Sequence, residues 1–180
     1  DRQQRYYFDG KPLSVLDSSL PPGTIRNASG VKSEPFVHGG VALTIRGVLD
    51  AIGELCDERI YVVDFKSSIP GDHLADRYRA QLCAYQWALE HPQRGEAREV
   101  AGLGLLVVCP ESMVDTDHGV ASLLSTTWIP VDYDEAWFTS LLRHICGIAA
   151  DPTTAESNPR CEWCHLRDQI AASSALPSSD

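Results

Sequence analysis

Ile60-Tyr61-Val62-Val63-Asp64-Phe65-Lys66-Ser67-Ser68 is an apolar run that ends in a carboxylate, an aromatic ring and an ammonium. Residues 60–65 read as a strand, and their nearly continuous apolar character is that of a strand buried on both faces. Residues two apart in a strand project to the same side, so Asp64 and Lys66 share a face. Upstream, Val41 to Leu49 reads as a first core strand, with partial alternation, β-branched content and Asp50 at its end. Glu54 to Arg59 reads as the hairpin connection, which would bring both carboxylates to one rim of a sheet.

Downstream, a helix is predicted from about Leu74 to Glu90, where Tyr78, Leu82, Tyr85 and Leu89 mark one face. His91-Pro92 closes it, because the residue before a proline is pushed out of the α region. Val100 to Cys109 is a third strand stopped by Pro110, Thr126 to Val131 a fourth, and Asp134 to Ala149 a second amphipathic helix. Tyr6-Tyr7-Phe8 reads as a short edge strand in an N-terminal segment otherwise rich in turn formers. The order predicts an α/β domain, a small central mixed sheet flanked by helices. We read residues 1–180 as one domain, with an irregular segment at 1–33, a core at 34–150 and a C-terminal segment and tail at 151–180.

The 180 residues carry a net charge of −10, which argues against indiscriminate nucleic-acid binding. Metal ions and a local basic strip can offset that charge, and Arg77, Arg79, Arg94 and Arg98 are candidates for such a strip; each is equally a solvated surface charge. No apolar stretch reaches the roughly 20 residues that span a bilayer, so no membrane role is expected. No signal-peptide pattern follows Asp1, and the lack of an initiator Met reads as a processed form or a fragment. Six cysteines without a secretory signal point to a reducing, cytoplasmic setting. Neither a G-x-x-x-x-G-K-[ST] loop nor a G-x-G-x-x-G turn after a strand is present.

Two carboxylates at one rim repel each other, and burying them unpaired is costly. A hard cation such as Mg²⁺ or Mn²⁺ removes that conflict, taking one or two carboxylates and keeping several waters. Asp50 and Asp64 are therefore candidate ligands, with the Phe65 backbone carbonyl as a third oxygen. Lys66 beside them can stabilise charge developing on a phosphate. Gln81 and Tyr85, at i and i+4, lie on one helix face and can hold Lys66 and the ligands or bond DNA. Each piece has a plainer reading too: D-x-K as a strand-end ion pair, Asp50 as a turn cap, Gln81 and Tyr85 as ordinary amphipathic-helix residues.

Taken in order, Gly47-Val48-Leu49-Asp50, Asp64-Phe65-Lys66-Ser67 and Gln81-Leu82-Cys83-Ala84-Tyr85 resemble the G-x-x-D, D-[FY]-K-[TS] and Q-x-x-x-Y motifs of the PD-(D/E)XK nuclease superfamily. The resemblance is to its RecB-type branch, which includes helicase-associated nucleases and CRISPR spacer-acquisition exonucleases, and covers roughly residues 34–170. It implies a restriction-endonuclease-like core in which Asp50 and Asp64 bind metal, Lys66 is the catalytic lysine, and Gln81 and Tyr85 form the helix motif. The implied function is a metal-dependent DNase acting on single strands or duplex ends in recombination, repair or defence, with DNA as substrate and a helicase or repair complex as partner. The alternative is a catalytically inactive nucleic-acid-binding or assembly module on the same fold. Glu34 and Phe36 resemble the E-x-x-F-like strand that often precedes G-x-x-D.

The chain departs from that branch in two places. Members commonly have a further metal ligand on a helix upstream of the first core strand, and no helix is read there. The ligand is either His38, in a Gly-rich loop, or lies outside this sequence. Iron–sulfur members carry C-x₂-C-x₅-C near the C-terminus, but after Cys161 and Cys164 the third position is Ile170, so no cluster is expected. Zn²⁺ at Cys161 and Cys164 needs two more ligands, with His165 nearest, and the C-x-x-C-H string also matches haem attachment. The plain reading of both cysteines is packing around Trp163. His73 and His118 fall in loops, His91 ends a helix, and His144 sits in the last helix, so no Ser/His/Asp set can be assembled.

Overall fold

Residues Ile60–Ser67 form the strand around which the protein is arranged, and Ile60, Val62, Val63, Asp64 and Phe65 are buried in it. The computed structural model describes residues 2–71, 73–154, 158 and 161–174. In chain order its elements are α1 (Arg2–Phe8), a 3₁₀ turn (Leu13–Val15), β1 (Gly23–Asn27), β2 (Gly30–Lys32), β3 (Phe36–His38) and β4 (Val41–Leu43). Next come β5 (Arg46–Val48), β6 (Ala51–Leu55), β7 (Ile60–Ser67) and α2 (His73–Glu90). They are followed by β8 (Val100–Thr116), β9 (Gly119–Val131), α3 (Glu135–Ala150), a second 3₁₀ turn (Pro152–Thr154) and α4 (Glu162–Ser174).

The central sheet has five strands in the order β1-β6-β7-β8-β9. Only the β7–β8 pair is parallel, as its α2 crossover requires, and the other neighbours are antiparallel. This mixed sheet between helices is the expected α/β class, consistent with a restriction-endonuclease-like fold. Alternation along β7 divides the core. Val62 packs with Leu74, Leu82 and Cys83 of α2 and with Phe138 and Leu142 of α3. Val63 and Phe65 pack on the other side with Phe8 of α1 and with Leu13 and Leu16. Asp134 caps α3 by accepting a hydrogen bond from Trp137 N at 2.9 Å.

Several sequence expectations change. Tyr6-Tyr7-Phe8 lies in helix α1: Gln and Arg favour helix, and only Phe8 needs burial, so one apolar anchor suffices. The N-terminal segment is not irregular, because β1 supplies an edge of the central sheet against β6. Val41 to Leu49 is not one strand. It divides into β4, paired with β3, and β5, paired with β2, in separate two-stranded ribbons. The true neighbour of β7 is β6, which occupies the stretch read as a gap, with the turn at Cys56–Arg59. Pro110 does not end β8: the strand passes through it with a register shift between Pro110 and Ser112, the kind of edge position proline tolerates. His73 opens α2, and α4 runs on to Ser174, while residues 175–180 of the expected tail lie outside the described residues.

Candidate active site

Asp64 is 3% exposed, and the neighbours of its two oxygens define the site. The Gln81 Nε2 donates to Asp64 Oδ1 at 3.1 Å and to the Tyr85 hydroxyl at 3.0 Å. The Tyr85 hydroxyl in turn donates to the Val48 carbonyl at 3.2 Å, so one chain of hydrogen bonds joins β7, α2 and β5. Asp64 Oδ2 is 2.5 Å from Lys66 Nζ, yet it has no well-directed hydrogen bond. Lys66 Nζ also stands 4.4 Å from the centroid of the Tyr78 ring.

Asp50 lies not at a strand end but in the bend between β5 and β6. The last register pair of β6 and β7 is Ala51 with Val63, so the next step brings Asp50 opposite Asp64. Its Oδ2 accepts from Phe65 N at 3.0 Å, which holds the carboxylate at the rim where the β6–β7 ladder has ended. Burial pushes the Asp64 carboxyl above the usual carboxylate range. The Lys66 ammonium opposes that rise through its close approach to Oδ2 and its charge, and the Asp50 charge adds to it.

A buried carboxylate oxygen without a directed donor, facing a second carboxylate, fits a small hard cation. Asp50 and Asp64 would hold it, with the Phe65 carbonyl as the third oxygen. His38 does not join them. It is exposed at the end of β3, paired with Val41 in a separate ribbon, and among the described residues no group of three or more His, Cys, Asp or Glu could hold a metal. Water would have to complete the shell of an ion held by two carboxylates, which is ordinary for Mg²⁺.

The family model of the PD-(D/E)XK nuclease superfamily matches residues 12–169. The chain belongs to the PD-(D/E)XK nuclease superfamily. No curated protein matches it. A solved structure described as "Crystal structure of SSO0001" is 21% identical with a TM-score of 0.46, over 91% of this chain and 64% of that chain. This PD-(D/E)XK protein therefore spans less than two thirds of the length of that chain.

Gly47 has a local reason in this superfamily member. A Cβ there would fall 2.4 Å from Tyr85 Cε1, so the tyrosine ring can lie over β5 only because residue 47 has no side chain. Two contributors were not visible in the sequence. Tyr78, one turn before Gln81, is read there as core but meets the Lys66 ammonium. On the far side of the sheet, α1 sends Gln4 Nε2 to Ser67 Oγ at 3.2 Å and Arg5 to the Ala28 carbonyl at 2.6 Å. Ala28 N donates to the Asp50 carbonyl at 3.4 Å, so α1 braces the rim. The Gln- and Arg-rich composition of residues 2–5 was the available signal for that helix.

The expected basic strip does not form. Arg79 is 3.9 Å from Asp134, Arg98 is 3.5 Å from Glu54, and Arg77 lies 5.6 Å from the Tyr78 ring centroid, leaving Arg94 apart. Cys161 and Cys164 are half-buried at the start of α4, with Cys164 N donating to Cys161 Sγ at 3.4 Å. They do not pack around Trp163, which is 80% exposed. No helix among the described residues is long and apolar enough to cross a membrane.

Proposed function

We propose that this PD-(D/E)XK protein is a Mg²⁺- or Mn²⁺-dependent DNase that hydrolyses phosphodiester bonds at single strands or ends, in recombination, repair or defence. The observation that carries the reading is the buried Asp64 carboxylate, set between Lys66 and Gln81 and opposite Asp50. Affiliation with the RecB-type branch is supported by the way its three motifs meet: Gly47 lies beneath Tyr85, Tyr85 bonds Gln81, and Gln81 bonds Asp64. The six unpaired thiols favour a cytoplasmic setting, and a helicase or repair complex is the class of partner that would present DNA ends.

In this reading Asp50, Asp64 and the Phe65 carbonyl would hold a divalent cation, which when bound would supply Lewis-acid polarisation of the phosphodiester and a lowered pKa of water. Lys66 provides the positive charge that stabilises the phosphate oxygens as charge builds on them. Gln81 keeps Asp64 oriented through Oδ1, leaving Oδ2 toward Lys66. Tyr85 anchors that amide to the Val48 carbonyl, so the ligand geometry is held by backbone rather than by loose side chains.

The test is cleavage of single-stranded, duplex and circular DNA with Mg²⁺ and with Mn²⁺, beside a Lys66→Ala variant. Cleavage that needs metal and is lost in the variant is expected; no cleavage with Mn²⁺, or undiminished cleavage by the variant, removes the reading. A second reading, an inactive nucleic-acid-binding or assembly module, is favoured by one contact. Lys66 sits so close to Asp64 that it serves as the counterion a metal would otherwise supply. Calorimetry separates the two, since Mn²⁺ binding that vanishes in Asp50→Ala and Asp64→Ala variants belongs only to the first.

A further inference from the structure

Six of the basic side chains, Arg26, Arg59, Lys66, Arg79, Arg98 and Arg167, stand within 4 Å of an acid. Lys32, Arg46 and Arg94 have no ion pair or hydrogen bond of their side chains among the described residues, and Lys32 neighbours each of the other two. Lys32 and Arg46 are register partners on the β2–β5 ribbon, so they project to one face of it. The opposite face is fixed by Val31 and Gly47, which pair with each other; Val31 packs on the core and Gly47 lies beneath Tyr85. Lys32 and Arg46 therefore point away from α2, as do Gly30 and the 62% exposed Val48.

The loop after α2 adds the third cation. Gln93 N donates to the Lys32 carbonyl at 2.8 Å, and a bridge between Ser33 and Pro92 pins the same loop to β2. Arg94 is thereby held beside Lys32, and the two line a shallow cavity of about 440 Å³ with Gly30 and Gln93. In a chain of net charge −10, Lys32 with a cation on either side of it, Arg46 across the ribbon and Arg94 across the cavity, is a local exception. Like charges placed together and left unpaired raise the energy of the free protein, and a polyanion relieves that cost.

The ribbon is also mechanically part of the candidate active site. Val48 accepts the Tyr85 hydroxyl, and Asp50 follows two residues later. Four residue steps lead from Arg46 to Asp50, a reach of at most about 14 Å for extended chain, which is a few nucleotides at most along a bound strand. We infer that Lys32, Arg46 and Arg94 form a phosphate-binding shelf that holds the nucleic-acid backbone a few nucleotides from the bond to be cut. The ligand is a single nucleic-acid strand gripped by its phosphates. Among the described residues no aromatic ring lines the cavity for bases to stack on, so binding there is insensitive to sequence.

The identity of the ligand rests on the DNase reading, but the readout is binding without cleavage. Labelled oligo(dT) is titrated with the full chain in EDTA over a range of salt concentrations. Wild type is compared with a Lys32→Gln/Arg46→Gln/Arg94→Gln triple variant and with Arg143→Gln, an exposed arginine on α3. The triple variant is expected to lower the slope of log K against log salt by about 2, and to lose at least tenfold in affinity at low salt. Arg143→Gln should match wild type, and equal melting temperatures exclude misfolding as the cause. A triple variant with the wild-type slope, or wild type without salt-dependent binding, overturns the shelf. A normal slope change in a protein that cuts nothing with Mn²⁺ keeps the shelf and removes the DNase reading instead.

Discussion

β7 has charged groups at both ends, and the two ends differ in what surrounds the charge. At its start, Glu54 lies 3.6 Å from Arg26 and 3.5 Å from Arg98, while Arg59 bonds Asp57 at 2.7 Å. Glu54, Asp57, Arg59 and Arg98 line the larger cavity, of about 720 Å³, and all these charges are open to water. At the other end the charge is carried mainly by Asp50, Asp64 and Lys66, but Asp64 is buried and one of its oxygens lacks a directed donor. Where water reaches, paired charges are nearly neutral in energy; where it does not, a carboxylate met by a single lysine still bears a desolvation cost. Cavity size and number of charges point to the first end, and desolvation points to the second. Chemistry is better placed at the second, because a desolvated carboxylate can respond to a cation and a desolvated ammonium to a phosphate.

The largest effect should come from breaking the buried pair. Lys66→Ala is expected to reduce cleavage by at least about 100-fold, the scale lost when one stabiliser of transition-state charge is removed. It should also destabilise the fold by on the order of 3 kcal/mol at neutral pH, since Asp64 would be left buried without its counterion. Denaturant melts and cleavage rates on the same samples check both. A variant as stable and as active as wild type would make the two ends of β7 equivalent.

Next in size is Gly47→Ala. Its Cβ would overlap the Tyr85 ring, and forced overpacking typically costs about 1–3 kcal/mol. The ring cannot move without pulling on the Val48 carbonyl and on Gln81, so cleavage should fall with stability. A Tyr85→Ala change added to Gly47→Ala should cost less stability than the two single changes summed, because the ring that clashes is gone, and leave the activity low. If the two costs simply add, the contact between ring and glycine is not what matters there.

The grouping of four candidate-site residues was legible in the sequence because they obey a local periodicity. Asp64 and Lys66 are two apart in a strand, and Gln81 and Tyr85 are four apart in a helix, so face and spacing follow from short-range geometry. Asp50 was legible as a residue but not as a position. Val41 to Leu49 has the composition of one strand, and nothing local indicates that it divides between two ribbons or that β6 begins after Asp50. Pairing partners are non-local, and here tertiary contacts overrode propensity at β4 and β5. The shelf was invisible for the same reason: Lys32, Arg46 and Arg94 meet only through the β2–β5 register and the loop bonded to Lys32. Sequence reasoning grouped Arg94 with Arg77, Arg79 and Arg98 because they are near in number.

The sign of the Asp64 shift gives a test of the buried end that needs no substrate. Burial raises its pKa in the folded protein, so folding favours the protonated acid. Stability from this group is complete below the unfolded value of 3.8 and declines as pH rises through the folded value. Asp64→Asn should therefore melt higher than wild type at pH above the folded value. That advantage should shrink as the pH falls toward the unfolded value and wild-type Asp64 takes up its proton. Adding Mn²⁺ at neutral pH should raise the melting temperature of wild type and not of the variant, since only a ligand that binds the folded state stabilises it. A variant less stable than wild type at neutral pH would mean that the Lys66 ion pair outweighs desolvation.

Glu54→Gln, at the exposed end, should do least. Glu54 meets two arginines, but its side chain is 44% exposed and theirs are 53% and 37% exposed, so both attractions act through water. Such pairs contribute about 0.2–1 kcal/mol each, less the entropy of holding long side chains in place. The loss should be about 0.5 kcal/mol at low salt and vanish near roughly 1 M salt, where the screening length is about 3 Å. Cleavage should be unchanged at either salt relative to wild type. The salt series is the informative part: a cost that persists at high salt would mean the Glu54 cluster is desolvated in solution. The contrast between a satisfied and a strained end of β7 would then fail at the end where it looks safest.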